Sequence, residues 1–170
     1  MQNHKTFFTA DLHLGHSKII EFEPERQHFS SIEEHDQQIL NNWNSVVNKK
    51  DTVWVLGDVC FKKEKLELLG AMNGFKKLVL GNHDRLATEN YLKYFSKVYG
   101  AVEYKDCLLT HIPVHESQKS RYKYNIHGHL HSVKIDDPFY INVSLEQYNL
   151  YPVELKRSLW LRKKRVVGKS

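Results

Sequence analysis

Five short stretches of this 170-residue chain end an apolar run in side chains that can hold a metal ion. Phe7-Phe-Thr-Ala10 leads into Asp11-Leu12-His13, and Val53-Trp-Val-Leu-Gly57 leads into Asp58. Leu78-Val-Leu-Gly81 is followed by Asn82-His83-Asp84, Leu108-Leu-Thr110 by His111, and Asn125-Ile-His-Gly128 by His129-Leu130-His131. Three oxygen donors (Asp11, Asp58, Asn82) and four imidazoles (His13, His111, His129, His131) exceed what one tetrahedral zinc site uses. They suit two ions sharing a carboxylate, with positions left for water and substrate. Oxygen and nitrogen donors without thiolate favour Mn, Fe, Co, Ni, Zn or Mg over Cu(I) or an iron–sulfur cluster. Two such ions about 3.5–4 Å apart are the arrangement used for in-line displacement at phosphorus. Each fragment alone also reads as an ordinary turn or polar hairpin. The repetition at five strand ends is what points to metal chemistry.

The elements that must position these groups are legible in outline. Thr6–Ala10, Thr52–Leu56, Leu78–Leu80, Leu108–Thr110 and Tyr140–Val143 read as strands from their β-branched and aromatic content. Ser31 stands three residues before Glu34, a capping-box spacing, and Ile32, Ile39, Leu40, Trp43, Val46 and Val47 follow at helical intervals. A second helix is expected over Glu64–Met72, ending at Asn73-Gly74, and a third around Asn90–Phe95. The first half therefore reads as βαβ and the second as β-rich. Ligands at the carboxyl ends of strands fit an α/β sheet, where loops converge on a rigid edge. A glycine just before the ligand in three of the five lets the chain turn and approach closely.

Composition removes other classes. Two cysteines, Cys60 and Cys107, cannot build a disulfide framework or a four-thiolate site, and they fit a reducing compartment. No apolar run approaches a membrane span, and no apolar segment follows the N-terminus as a secretory signal requires. A cytoplasmic protein is expected, with no membrane partner. The formal charge of +5 is concentrated: 155–170 holds seven cations and no acid. Residues 1–154 are thus expected to form one domain, with 155–170 a basic tail. That tail reads as a handle for nucleic acid or as an ordinary docked and solvated terminus. The eleven histidines are the odder count, and the strand ends account for several of them.

Asp-x-His, Gly-Asp, Gly-Asn-His-Asp, a later His and Gly-His-x-His, in that order from Asp11 to His131, resemble the calcineurin-like metallophosphoesterases. The resemblance implies a four-layer α/β/β/α sandwich of two mixed β-sheets flanked by helices, and two divalent ions per chain. Manganese is the foremost expectation, with Fe, Ni, Co, Zn or Mg compatible. By position, Asp11, His13 and His131 would hold the first ion, Asp58 would bridge, and Asn82, His111 and His129 would complete the second. The implied activity is hydrolysis of a phosphodiester or phosphomonoester, nucleotide-like, by in-line attack of a hydroxide bridging two metals. His83 would act as general acid. Asp84 would either favour its protonated form or cap the following helix. The stretches Gly57-Asp-Val-Cys-Phe-Lys-Lys63 and Gly81-Asn-His-Asp84 depart from the protein serine/threonine phosphatase pattern. Length resembles the small cap-less bacterial, archaeal and phage members, as does Asp11-Leu-His-Leu-Gly-His16 with Trp43-Asn44 after the first helix. A nuclease or RNA-end phosphatase using the tail is the competing enzyme, and a non-catalytic scaffold the competing class.

Around these motifs, His16 reads as substrate-facing or as a polar residue starting a helix. Arg26 and Arg85 read as phosphate clamps or solvated surface, and His115 as near the site and available to substrate. His127 is expected behind the ligands or in the core. His4, His28 and His35 are expected on the surface. The oligomeric state is open.

Overall fold

The structure, a computed structural model, describes residues 4–155. Apart from Leu155, the basic tail lies outside the described residues.

Four strands, β1 (Thr6–Thr9), β2 (Thr52–Leu56), β3 (Phe75–Val79) and β4 (Lys97–Tyr99), form a sheet in sequence order with every neighbour parallel. An antiparallel bridge from Phe8 to Val153 continues its free edge. Parallel strands taken in order with right-handed crossovers send every connection to the same face. That face carries α1 (Ile19–Phe22), α2 (Ile32–Val46), α3 (Leu68–Ala71) and α4 (Thr88–Tyr91). Phe7, Val53, Val55 and Leu78 of the sheet pack there with Ile39, Trp43, Leu69 and Tyr91.

The opposite face, Phe8, Trp54, Leu56 and Val79, is equally apolar and has no crossover to cover it. A second sheet of β5 (Val102–Tyr104), β6 (Cys107–Leu109), β7 (Tyr124–His127) and β8 (Tyr140–Asn142) does so. Its β5–β6 pair is antiparallel and the rest parallel. Cys107, Leu109, Tyr124 and Ile126 fill the space between the sheets. The two sheets with flanking helices are the expected sandwich, except that β1–β4 are all parallel and among the named strands only the second sheet is mixed. Beside the second sheet Val114 bonds to Asn125 and Tyr140, and the only helical element among the described residues between β6 and β7 is the 3-10 turn Glu116–Ser120.

Local differences have local causes. Ser31 caps α2 as expected, its Oγ accepting from the Glu34 N–H at 3.1 Å. The Glu34 carboxylate reaches one residue further back, to the Ser30 N–H. The helix expected over Glu64–Met72 is instead a 3-10 segment, Lys63–Glu67, running into the one-turn α3. Leu66, Leu69 and Met72 are spaced by three, which matches the 3-10 period better than the α-helical one. The third helix lies earlier than expected, at Thr88–Tyr91. Trp43 and Asn44 fall within α2, not after it, and hold the end of α3. Trp43 Nε1 donates to the Asn73 carbonyl, and Asn44 exchanges two bonds with Ala71 and Asn73.

Candidate metal centre

The carboxyl ends of β1, β2, β3, β6 and β7 open onto the same edge of the sandwich, and their loops meet between the sheets. The Gly128 N–H donates to the His111 carbonyl, the Asp11 N–H to the Gly57 carbonyl, and the His129 N–H to Asp11 Oδ2. Five of the seven expected ligands take left-handed backbone: Asp11 (φ 58°), His13 (50°), Asp58 (55°), His129 (69°) and His131 (47°). Side chains rarely adopt this region, at a cost of order 1–3 kcal/mol each, and such residues gather at functional sites. Gly57 (φ 89°) turns before Asp58 as sequence expects, while at the other strand ends the ligands themselves take the left-handed turn or Gly provides only space. Gly128 serves space instead, since a Cβ there would strike Ala10 and stand 2.6 Å from Asp11 Oδ2.

Asp11, buried, uses Oδ2 to accept from Ser144 Oγ (2.7 Å) and the His129 N–H (2.9 Å). Among the described residues its Oδ1 has no hydrogen-bond partner, and neither ring nitrogen of buried His13 has one. His13 Nε2 lies 3.8 Å from both Asp11 Oδ1 and Asp58 Oδ2. His131 Nε2 lies 3.9 Å from Asp11 Oδ1, and His111 Nε2 lies 3.4 Å from Asp58 Oδ2. Two donors each about 2.0–2.2 Å from one ion are at most about 4.4 Å apart, so all four spacings admit a shared ion. Buried polar atoms left unpaired are costly, and a cation between them removes the cost. The donor set therefore fits a metal.

The tautomers agree. His111 Nδ1 donates to the Leu56 carbonyl (2.8 Å) and His131 Nδ1 to Glu146 (2.9 Å), which turns each Nε2 toward a carboxylate. Burial pushes Asp11 up to about 6, against the lowering effect of His131 and His111, so a neighbouring cation would restore its charge. Burial also holds His13 well below its ordinary range, neutral and fit to ligate. For His111, burial opposes charge, but Asp58 and Asp11 outweigh it and raise the pKa. Asn82, exposed, has Oδ1 2.9 Å from His111 Nε2. The His129 ring is edge-on to His111 at 5.1 Å, beside the tighter group but not in it. Among the described residues, Asp11, His13 and His131, and Asp11, Asp58 and His111, are compact enough to share an ion, as is a third group behind His131, Glu23 with His131 and Glu146.

The chain matches the calcineurin-like phosphoesterase family over residues 4–168. It belongs to that family. An uncharacterized protein of Methanocaldococcus jannaschii is 33% identical, covering 91% of this chain and 89% of its own. The gene 66 protein of Mycobacterium phage L5 is 35% identical, covering 76% and 79%. A crystal structure of a protein of unknown function from Aquifex aeolicus superposes with a TM-score of 0.69 at 29% identity, covering 89% and 95%.

In this phosphoesterase-family chain several surrounding residues stand where sequence did not put them. Arg26 is neither clamp nor surface: it is fully buried, donating to the carbonyls of Asp11 and Leu12 and pairing with Glu146. His35 is likewise buried, between Arg26 and Asp36. Asp84 neither pairs with His83 nor caps α4, whose N-cap is Ala87. Its carboxylate accepts the N–H groups of Asp58, Val59 and Gly81 at 2.8–2.9 Å, tying the β2 and β3 loops together. Asp84→Ala removes the acceptor from three backbone donors and is expected to lower unfolding free energy by about 2–4 kcal/mol in urea titration. A change below about 0.5 kcal/mol, the scale of an ordinary surface substitution, contradicts the bracing role.

His83 is half-buried, with its N–H on Asp58 Oδ1 (2.9 Å) and its ring 4.9 Å from Phe61 and 6.0 Å from His13. His16 is half-buried and stacked on Phe61 at 3.9 Å and 11°. Arg85 is exposed, its guanidinium against the Asn82 carbonyl. His115 is turned to its own 3-10 turn, where Nδ1 accepts from the Ser117 N–H. His127 is buried in the core, Nδ1 on the Gly128 carbonyl, while His4 and His28 are exposed.

Sequence reading missed Glu146, Ser144 and Phe61. Glu146 and Ser144 lie 135 and 133 residues from Asp11, with no motif to mark them. Phe61 follows Asp58 by three and is an apolar side chain 39% exposed on a ligand loop, a signal that spacing could have raised.

Proposed function

We propose that this chain is a dinuclear metallophosphoesterase hydrolysing a nucleotide-like phosphodiester or phosphomonoester. The carrying observation is Asp58 Oδ2, which lies within 3.8 Å of His13 Nε2 and 3.4 Å of His111 Nε2. One carboxylate thus faces the ligands of both ions. Two divalent ions, when bound, supply a nucleophile near neutral pH and neutralise phosphoryl charge. Asp11, His13 and His131 would hold one ion, and Asn82, His111 and His129 the other. Manganese is the first ion to test.

The chain's own part is to place the phosphate and deliver a proton. The Asp58–His83 bond sets the start of the His83 loop, and the ring, near His13, is placed to protonate a leaving oxygen. Phe61, backed by His16, supports a nucleotide-like substrate, because any base can stack on an aromatic ring. The Phe61 N–H donates to the Leu14 carbonyl and Leu14 bridges to Cys60, so the plate is fixed by backbone. Phe61→Ala is expected to raise KM for a nucleoside phosphodiester about fivefold, the low end of base–aromatic stacking, and leave kcat within about twofold. An unchanged KM removes the stacking role.

A cytoplasmic setting fits two buried, unpaired cysteines, Cys60 and Cys107, whose thiols burial pushes up to about 12 and about 11. The deciding experiment is metal loading followed by a panel of cyclic nucleotides, dinucleotides, RNA ends and phosphomonoesters. Retention of fewer than about one ion per chain, with no turnover, would favour a scaffold over an enzyme.

A further inference from the structure

One buried cation stands behind half of the ligand set. Arg26 Nη2 donates to the Asp11 carbonyl at 2.6 Å and meets Glu146 Oε1 at 2.6 Å. Its Nη1 donates to the Leu12 carbonyl at 3.2 Å and to His35 Nε2 at 3.0 Å. Glu146 Oε1 also takes the His131 Nδ1 proton. Beyond His35, Asp36 receives the Gly15 N–H at both oxygens (3.2 and 3.1 Å) and pairs with Lys65 at 2.7 Å. We propose that Arg26 is a positioning residue for the first metal ion, holding Asp11, His13 and His131 through the 11–12 carbonyls and Glu146; this rests on the dinuclear reading above.

The argument is geometric. Asp11 and His13 both sit in left-handed backbone, a conformation that persists only when its surroundings enforce it. The planar guanidinium offers donors in a fixed fork, and here that fork takes two successive carbonyls of the strained segment. The same Nη2 also meets Glu146, which fixes the His131 ring and raises the basicity of the nitrogen facing Asp11. Asp11, His13 and His131 are therefore supported from one buried group, whereas the shared Asp58 is held separately, by Asp84. None of Arg26's polar contacts among the described residues reaches Asn82, His111 or His129. His111 is held by Leu56, and the Asn82 loop by Asp84.

The selectivity makes it testable. Co²⁺ titrations followed by visible absorption compare wild type with Arg26→Met, Glu146→Gln and the double variant Arg26→Met/Glu146→Leu, each checked by thermal melting. The expected result is two ions per wild-type chain, and in every variant one ion about 10–100-fold weaker, as for other outer partners of metal ligands, with the other unchanged. The double variant separates positioning from folding. It removes both buried charges together, a replacement that often preserves or raises stability, yet first-ion affinity is expected to stay low. Arg26→Lys, lacking the planar fork, is expected not to rescue. Two ions at wild-type affinity in the double variant, or equal weakening of both, overturns the proposal. If wild type takes up no Co²⁺, the dinuclear reading itself fails, and this inference with it.

Discussion

Asp58→Asn, loaded with Mn²⁺ and given bis(p-nitrophenyl) phosphate, is expected to lose at least about 10²–10³-fold in kcat/KM, the scale of losing one preorganised electrostatic partner. The substitution is nearly isosteric, so the loops should survive it. The Oδ1 that accepts the His83 N–H can remain a carbonyl oxygen. What disappears is a charge at Oδ2, set between His13 Nε2 and His111 Nε2. An amide nitrogen there presents hydrogens to two cations. His111→Ala tests the same junction from the other sheet and is expected to fall similarly. The Leu56 carbonyl and Asn82 Oδ1 then lose the ring between them. Wild-type-like turnover in either variant, with metal content measured alongside, would sink the mechanism.

His83→Ala is the second large effect, and its size should depend on the substrate. General acids contribute about 10²–10⁴-fold where the leaving oxygen needs a proton. A nitrophenolate leaves without help, whereas the alkoxide of a sugar does not. The expected pattern is a large kcat loss on an alkyl or nucleoside ester and a much smaller one on p-nitrophenyl esters. The position agrees: the His83 ring sits beside Phe61 and near His13. Asp84 does not assist by proximity, because its oxygens are taken by backbone donors of the two loops. Equal losses on both leaving groups would mean that His83 steadies charge or water and transfers no proton.

The same comparison shows what spacing can and cannot reveal. The strands were legible because buried parallel strands are short apolar runs, and β2 lies where its composition put it. The α2 start was legible because its cap is local, with Ser31 Oγ accepting from the Glu34 N–H and the Glu34 carboxylate from the Ser30 N–H. Arg26 was not legible. In sequence it sits among Glu21, Glu23 and Glu25 and reads as solvated charge. Its partners are carbonyls 14 and 15 residues back and a carboxylate 120 residues on. His35 was misplaced for the same reason, since its burial follows from Arg26 and not from the α2 pattern. Asp84 read as a helix cap because caps are local, while its actual donors include two on the loop after β2.

The sequence by itself determined which side chains could hold metal, their order, and that each follows a strand. Those properties depend on residue type and on contacts a few positions away. Tertiary structure alone decided how the ligands aim. It placed five of them in left-handed backbone, joined the sheets through His111 and Leu56, and put Glu146 behind His131 and Phe61 beside His83. These arrangements depend on groups far apart in the chain meeting in a buried, low-dielectric space. There, an unpaired polar atom is costly enough to dictate its partner.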